Sequence, residues 1–367
     1  MALTNFSALT DEQKTVWSKD MWKQARDYSF LGKFLGSGPN AVIQRITELR
    51  KTEKGTRAVI TLVHDLVEDG VAGDSTLEGR EEALSSADQV IRIDQLRHAN
   101  RIKGRMADQK SVVNFRNESR DVLAYWLADR IDQMAFLTLS GVAYTKTTGN
   151  ATRSSSELSA LEFAADVTAP STNRYFRWDA SSGLLAGSTQ GDLATADTPS
   201  YKMLVELKAK MKTQFIRGVK GEGGQEMYHV FMHPNGISKL MQDADFLANM
   251  RYAGARGTEN PLFKGYGAAI MVNGLLIHEY RHVFNTLGHA TKWGGGAVDG
   301  QAVLCLGAQA MGFADIGDAS WEEKDFDYGN SQGIATGKIF GFKKPVFRSI
   351  YSGTDEDFGV VRVDTAI

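Results

Sequence analysis

One cysteine stands in a chain of 367 residues, so neither a disulfide framework nor a cysteine-based zinc site can be built within it. Cys305 lies in the apolar run Val303-Leu304-Cys305-Leu306 and reads as a small buried hydrophobe. Charge of one sign is also lacking. With 42 Lys and Arg against 44 Asp and Glu the formal net charge is −2 and the pI about 6.4, which excludes a basic field for tight nucleic-acid binding and leaves only weak or local contact with DNA. No uncharged apolar segment approaches the ~20 residues of a spanning helix. Met1-Ala2-Leu3-Thr4 does not lead from a basic region into an apolar one. The expectation is a protein made in the cytosol, with no membrane partner.

Several chemistries lack their residues. Gly218-Val219-Lys220-Gly221-Glu222-Gly223-Gly224 has no Gly-Lys-Ser/Thr ending, and Gly265-Tyr266-Gly267 lacks the third glycine of a dinucleotide site. No Gly-x-Ser-x-Gly elbow occurs. One enzymatic pattern is present: His278-Glu279-Tyr280-Arg281-His282 fits H-E-x-x-H. On a helix, residues four apart share a face and two imidazoles reach one zinc at ~2.1 Å while the glutamate acts as base. Here the motif follows Asn273-Gly274-Leu275-Leu276-Ile277 and precedes Val283-Phe284, a turn and a β-branched, aromatic run. In a strand the histidines would stand ~13 Å apart, four steps of ~3.3 Å, and could not share a metal. The segment is expected to be extended, with no catalytic, cofactor or metal residue in the chain.

The composition, 42% hydrophobic and 23% charged, is that of one or two globular domains. Thr10 and Gln13 make a capping box, and Trp17, Met21, Ala25, Tyr28 and Leu31 recur at helical spacing until Gly36, Gly38 and Pro39. The apolar residues Trp17, Met21, Trp22, Tyr28 and Leu31 need a cover, and docking on neighbouring subunits is the expectation. Strands are expected over 41–49, 57–66 and 89–102, the last two forming a long hairpin with an elaborated acidic tip. From Asp65 to Asp94 nine acids face two arginines, a net of −7, whereas from Gln95 to Arg120 seven bases face two acids, a net of +5. Glu78, Glu81 and Glu82 of the acidic block, and Arg97, Arg101, Lys103 and Arg105 of the basic one, are therefore candidates for contacts between copies.

The strongest helix runs from about Asn114 to Gly141, with Leu123, Trp126, Leu127, Ile131 and Met134 on one face. Its length, ~40 Å at 1.5 Å per residue, suits the backbone of a domain. Residues 144–198 are rich in Thr, Ser, Ala and Gly and read as a surface excursion or domain junction. Thr198-Pro199 opens a helix carrying Leu204, Leu207 and Met211. A strand over 227–232 and helical spacing from Ile237 to Met250 suggest a second α+β lobe. Beyond Ala268 the chain is mostly β-like, with Asn273-Gly274 as a tight turn and strands near 302–306, 338–342 and 358–363.

In this order the segments resemble the major capsid proteins of phages similar to coliphage N-four, within the wider HK-type capsid fold of tailed phages. The resemblance rests on Val16-Trp17-Ser18-Lys19, Leu31-Gly32-Lys33-Phe34-Leu35-Gly36, Asp74-Ser75-Thr76-Leu77-Glu78-Gly79-Arg80-Glu81-Glu82-Ala83-Leu84, Ile93-Asp94-Gln95-Leu96-Arg97-His98-Ala99 and Trp126-Leu127-Ala128-Asp129-Arg130-Ile131-Asp132. It continues through Asn260-Pro261-Leu262-Phe263, Ile277-His278-Glu279, Asp327-Tyr328-Gly329-Asn330 and Asp357-Phe358-Gly359-Val360. It implies an α+β fold with an N-terminal arm (1–54), an extended β-hairpin loop (55–103), a peripheral domain with a spine helix, β-sheet and insertion (104–198), an axial α/β domain (199–325) and C-terminal strands returning to the peripheral domain (326–367). It also implies a non-enzymatic, self-assembling icosahedral shell protein in the virion capsid, put together in the host bacterial cytoplasm around double-stranded DNA. Its partners would be itself as hexamers and pentamers, a portal, and scaffold or decoration proteins. No long scaffolding-like leader is expected, because the first helix begins close to Met1. The same fold also implies an alternative, a cellular nanocompartment shell, and a zinc metallopeptidase through His278 and His282 is the remaining one.

Overall fold

Helical and alternating hydrophobic patterns sort the chain into six helices and seventeen strands among the described residues of the computed structural model. These residues are 11–47, 55, 57–63, 69–82, 86–110, 115–187, 189–221, 224–252, 270–287, 289–349 and 352–367. The chain opens with α1 (Asp11–Tyr28), a 3-10 turn (Leu31–Phe34), β1 (Leu35–Gly36), β2 (Ile43–Ile46), β3 (Arg57–Val63), β4 (Ser86–Arg92) and β5 (Asp94–Arg101). Next come α2 (Arg105–Lys110), α3 (Phe115–Ser140), β6 (Tyr175–Asp179), β7 (Gly183–Ala186), α4 (Tyr201–Thr213), β8 (Val219–Lys220), β9 (Glu226–Met232), α5 (Pro234–Gln242) and α6 (Ala244–Tyr252). The rest is β: β10 (Ile270–Val272), β11 (Leu275–Glu279), β12 (Gly300–Leu306), β13 (Met311–Phe326), β14 (Ser331–Lys343), β15 (Val346–Arg348), β16 (Asp355–Asp357) and β17 (Val360–Ala366).

Two main sheets result. One runs β1-β2-β13-β14-β5, the other β10-β11-β9-β12-β17-β6-β7 with β8 beside β9. The spine helix α3 lies against β14 and β5 of the first sheet and β12 of the second. Its last seven residues, Met134 to Ser140, are all buried. Arg362 of β17 donates from Nη1 to the carbonyl of Ser140 at 2.7 Å, so a cation from one sheet satisfies an orphan carbonyl at the end of the helix that crosses both. On the far side of the second sheet a separate core joins Met203, Leu204, Leu207 and Met211 of α4 to Tyr228, Val230, Val303, Cys305 and Val361.

Several expectations are refined. The stretch 89–102 is not one strand: β4 pairs with β3 from Arg57↔Arg92 to Val63↔Ser86, whereas β5 pairs with β14. The hairpin β3–β4 seats Ala58, Ile60 and Ile91 against Ile46, Ala314 and Phe347. Glycines permit that seat. A Cβ at Gly341 would run into the carbonyl of Arg92, and one at Gly312 into Ile60 and Ile91. The helix expected to open on Thr198-Pro199 is capped instead by Ser200, whose Oγ accepts from the Met203 N–H, with Pro199 just outside. Asn273 and Gly274 have φ of 49° and 80°, the type I′ geometry their sequence calls for. The excursion at 144–198 contains β6 and β7, which join the second sheet. The C-terminal segment divides, β14 entering the first sheet and β17 the middle of the second. The capping residue Thr10, the Asn260-Pro261-Leu262-Phe263 motif and Gly265-Tyr266-Gly267 lie outside the described residues.

Candidate subunit interfaces and the junctions that position them

The apolar stripe of α1 finds its cover inside the chain. Met21, Trp22, Ala25 and Leu31 are buried against α3 and β13, and Trp17 packs on Trp321 with ring centroids 5.6 Å apart. Met21, Trp22 and Leu31, expected to wait for a neighbour, are thus already covered within the chain, while Trp17 stays half-buried: a helical stripe demands a partner but does not name one, and here α3 and β13 supply it. Of the five, Tyr28 remains exposed, edge-on to the exposed Tyr125 at 6.1 Å.

Two buried polar junctions pin the arm. Asp132 of α3 accepts from Ser29 Oγ at 2.7 Å, from the Phe30 N–H at 2.8 Å and from Tyr280 Oη at 2.6 Å. Burial pushes its carboxyl above the usual carboxylate range, against the pull of these hydrogen bonds. The second junction lies under Trp22. Lys338 Nζ sits 3.8 Å from that ring, 2.5 Å from Asp315 Oδ1 and 2.6 Å from the carbonyl of Gly317, while Arg45 Nε donates to Asp315 Oδ2 at 2.8 Å. The Lys338 ammonium is held down by desolvation and pushed back up by Asp315.

The acidic loop behaves differently. Glu78 and Glu81 are exposed and Glu82 is half-buried. Glu81 accepts the Gly79 N–H at 2.7 Å and so braces its own turn. Within the basic block, Arg101 donates to Ser331 Oγ at 2.8 Å and lies 4.1 Å above the Phe326 ring, and Arg105 donates to the carbonyl of Gly329 at 3.1 Å. Both are structural braces. Arg97 and Lys103 are exposed and form no ion pair with the described residues. Neither Glu78 nor Glu81 forms an ion pair with Arg97, Arg101, Lys103 or Arg105 among those residues.

The H-E-x-x-H pattern comes apart. His278 and Glu279 are the last residues of β11, Tyr280 lies just past it and Arg281-His282 turns away. His282 Nε2 meets Asp129 Oδ1 at 2.7 Å. His278 Nε2 meets Nδ1 of His229, on the neighbouring parallel strand β9, at 2.9 Å, one ring N–H donating to the other ring's lone pair. Phe34 of the arm stands edge-on to both rings and Phe231 stacks on His278. Among the described residues no group of three or more His, Cys, Asp or Glu could hold a metal. Sequence reading did not find His229, because its partner is 49 residues away.

Burial lowers both His229 and His278 from 6.5 to about 4, with His229 and Lys33 adding repulsion at His278. Between those values the unfolded chain binds protons that the folded chain refuses, so stability falls as pH drops from about 6.5 toward about 4. Subunit unfolding in urea at stepped pH is expected to show this acid limb, and the double variant His229→Gln, His278→Gln is expected to flatten it. An unchanged slope in that variant would assign the limb to other groups.

The phage capsid protein family model matches residues 5–367. The major capsid protein of Pseudomonas phage KPP25 is 57% identical over 368 residues, covering 99% of this chain and 97% of that protein. Among solved structures, the capsid of Ralstonia phage GP4 superposes with a TM-score of 0.74 at 27% identity, covering 92% of this chain and 91% of the other. The cyanophage Pam1 capsid shares the fold at 16% identity, with a TM-score of 0.70 and coverage of 100% and 96%. The α+β architecture is thus the HK-type capsid fold, and the chain belongs to the phage capsid protein family.

Proposed function

We propose that this structural subunit of the virion capsid, which is not an enzyme and assembles with copies of itself, tiles its shell as hexamers and pentamers. Contacts with a portal and with scaffold or decoration proteins would lie at the margins of that lattice, and contact with packaged double-stranded DNA would be weak and non-specific, in keeping with a net charge of −2. The observation that carries the reading is the full-length likeness to a major capsid protein. The separate ends of the H-E-x-x-H pattern speak against the peptidase, and the relatives are phage shells and not nanocompartments. Purified protein is expected to form closed particles in sedimentation and negative-stain microscopy, filled with DNA when recovered from infected cells. Particles loaded with a cellular enzyme would overturn it.

The sheets support a division of labour. The first sheet with α3 would be the peripheral domain, the second sheet with α4 and α5 the axial domain, and β3–β4 with residues 69–82 the extended loop. The loop's carboxylates, the exposed Glu78 and Glu81 and the half-buried Glu82, are the anionic side of an electrostatic contact, and Arg97 and Lys103 of an adjacent copy the cationic side. Single exposed pairs give only ~0.2–1 kcal/mol, so no one residue decides. Repeated around a closed shell such contacts add. Reversing Glu78, Glu81 and Glu82 together to lysine is expected to lower shell yield and leave subunit melting nearly unchanged, and wild-type assembly is expected to weaken as salt rises, since exposed charges are screened over ~10 Å at 0.1 M. Normal assembly of the triple variant at every salt concentration would reduce the loop to a solvated face.

A further inference from the structure

The turn joining β13 to β14 is built against its own preferences. Asp327, Tyr328 and Gly329 all have positive φ, at 51°, 48° and 80°. Glycine takes that region freely, whereas a bulky L-residue such as tyrosine rarely enters it. The Tyr328 ring meanwhile is fully exposed and touches nothing in its own chain among the described residues. A residue with both properties lowers the stability of the isolated subunit without burying any apolar area in return.

The turn is also braced. Asn330 Nδ2 donates to Asp327 Oδ2 at 3.1 Å, the Arg105 N–H donates to Asn330 Oδ1 at 3.4 Å, and Arg105 Nε donates to the Gly329 carbonyl at 3.1 Å. Arg101 and Lys324 flank the Phe326 ring at 4.1 and 5.1 Å. The tip is therefore held ready in one shape, which cuts the ordering cost of any contact it makes. Rigid, exposed tyrosines with a polar end are the side chains that most often anchor protein contacts.

We propose that Tyr328 is an interface anchor: the tip of the β13–β14 hairpin inserts this ring into a recess on a second copy of the chain in the shell. The inference rests on the shell reading and adds the residue and the surface. Charge favours a second copy as the occupant. Lys103 follows β5 on one flank of the tip and Asp325 lies in β13 on the other; both are exposed and neither has an ion pair with the described residues of its own chain. Opposite signs on opposite flanks suit a head-to-tail contact in which the tip of one copy meets a different surface of the next.

The test separates fold from assembly. In the full-length chain, Tyr328→Gly is expected to melt at the same temperature as wild type or higher, because glycine relieves the backbone, yet to reduce shell yield by about tenfold or more. Tyr328→Ser is expected to reduce yield as well, and Tyr328→Phe to assemble like wild type. p-Benzoylphenylalanine placed at position 328, irradiated in finished shells, is expected to give a crosslinked product of two copies of this chain. Normal shells from both Tyr328→Gly and Tyr328→Ser overturn the proposal, as does a crosslink to a different protein. Wild-type shells in the same preparation separate failure of the anchor from failure of the shell reading.

Discussion

An Asp315→Ala subunit is expected to lose on the order of 3–5 kcal/mol of stability and to regain part of it as the pH is raised toward about 10. Lys338 and Asp315 have side chains 0% and 2% exposed, so removing the carboxylate strands a buried ammonium whose remaining partners are the Gly317 carbonyl and the face of Trp22. Arg45, which Asp315 also binds, is then left as a like charge near Lys338. Desolvation already lowers the affinity of Lys338 for its proton, and the variant lowers it further. The unfolded chain keeps that proton up to about pH 10.4, while the folded variant releases it earlier. The unfolded state thus binds more protons in that window, and stability rises with pH. Urea midpoints at stepped pH measure this. A midpoint equal to wild type at neutral pH would mean that Lys338 is neutral in the native protein. Because the ammonium supports Trp22, the same variant is expected to loosen α1, seen as faster amide exchange along that helix.

How much of this was legible follows from how local each signal is. The spine helix α3, the hairpin β3–β4 and the Asn273-Gly274 turn depend on neighbours within one segment, and periodicity or turn chemistry carries them. The long strand β13 was missed because Gly312, Gly317, Asp318, Glu322 and Glu323 break its apolar alternation; the sheet tolerates a register shift between Ile316 and Ser320, with Gly317 at φ 64°. The split of 89–102 into β4 and β5 falls where the carbonyl of Arg92 crosses Gly341, about 250 positions away, and no local pattern shows which glycine a distant backbone will cross. The stripe on α1 announced that a partner existed, and only the fold reveals that the partner is α3. Charge runs were legible as runs, but of the four candidate bases Arg101 and Arg105 proved to brace the β13–β14 turn through a hydroxyl, a ring and a carbonyl, and Arg97 and Lys103 remain as the exposed ones with no such bracing contact among the described residues. Tyr328 lay in a motif that carried the family resemblance, yet its backbone strain has no signature in sequence.

Replacing Asp132 by alanine is expected to undock the N-terminal arm. Three donors converge on this carboxylate from separate parts of the chain: Ser29 and Phe30 at the end of α1, and Tyr280 just past β11. The Phe30 ring lies parallel to that of Tyr280 with centroids 4.0 Å apart, so the arm is stacked on the second sheet where both meet the spine helix. Without the acceptor these donors must go unsatisfied or reach water, at roughly 1–3 kcal/mol for each group left buried and unpaired. The arm can escape this only by opening. Global unfolding is therefore expected to shift by on the order of 3 kcal/mol, with a larger local effect at residues 26–34, where trypsin should cut at Arg26 and Lys33 well before it cuts elsewhere. The pH response sets the junction apart from the histidine pair. Burial raises the Asp132 carboxyl above its unfolded value, so the folded state binds the extra proton, and this group's contribution rises as pH falls through that window, opposite in sign to His229 and His278. Asp132→Ala removes the compensating contribution and should make the acid limb steeper. If the variant instead keeps wild-type protease resistance at Arg26 and Lys33, the arm is held by its apolar stripe alone and Asp132 is not what fixes it to the spine.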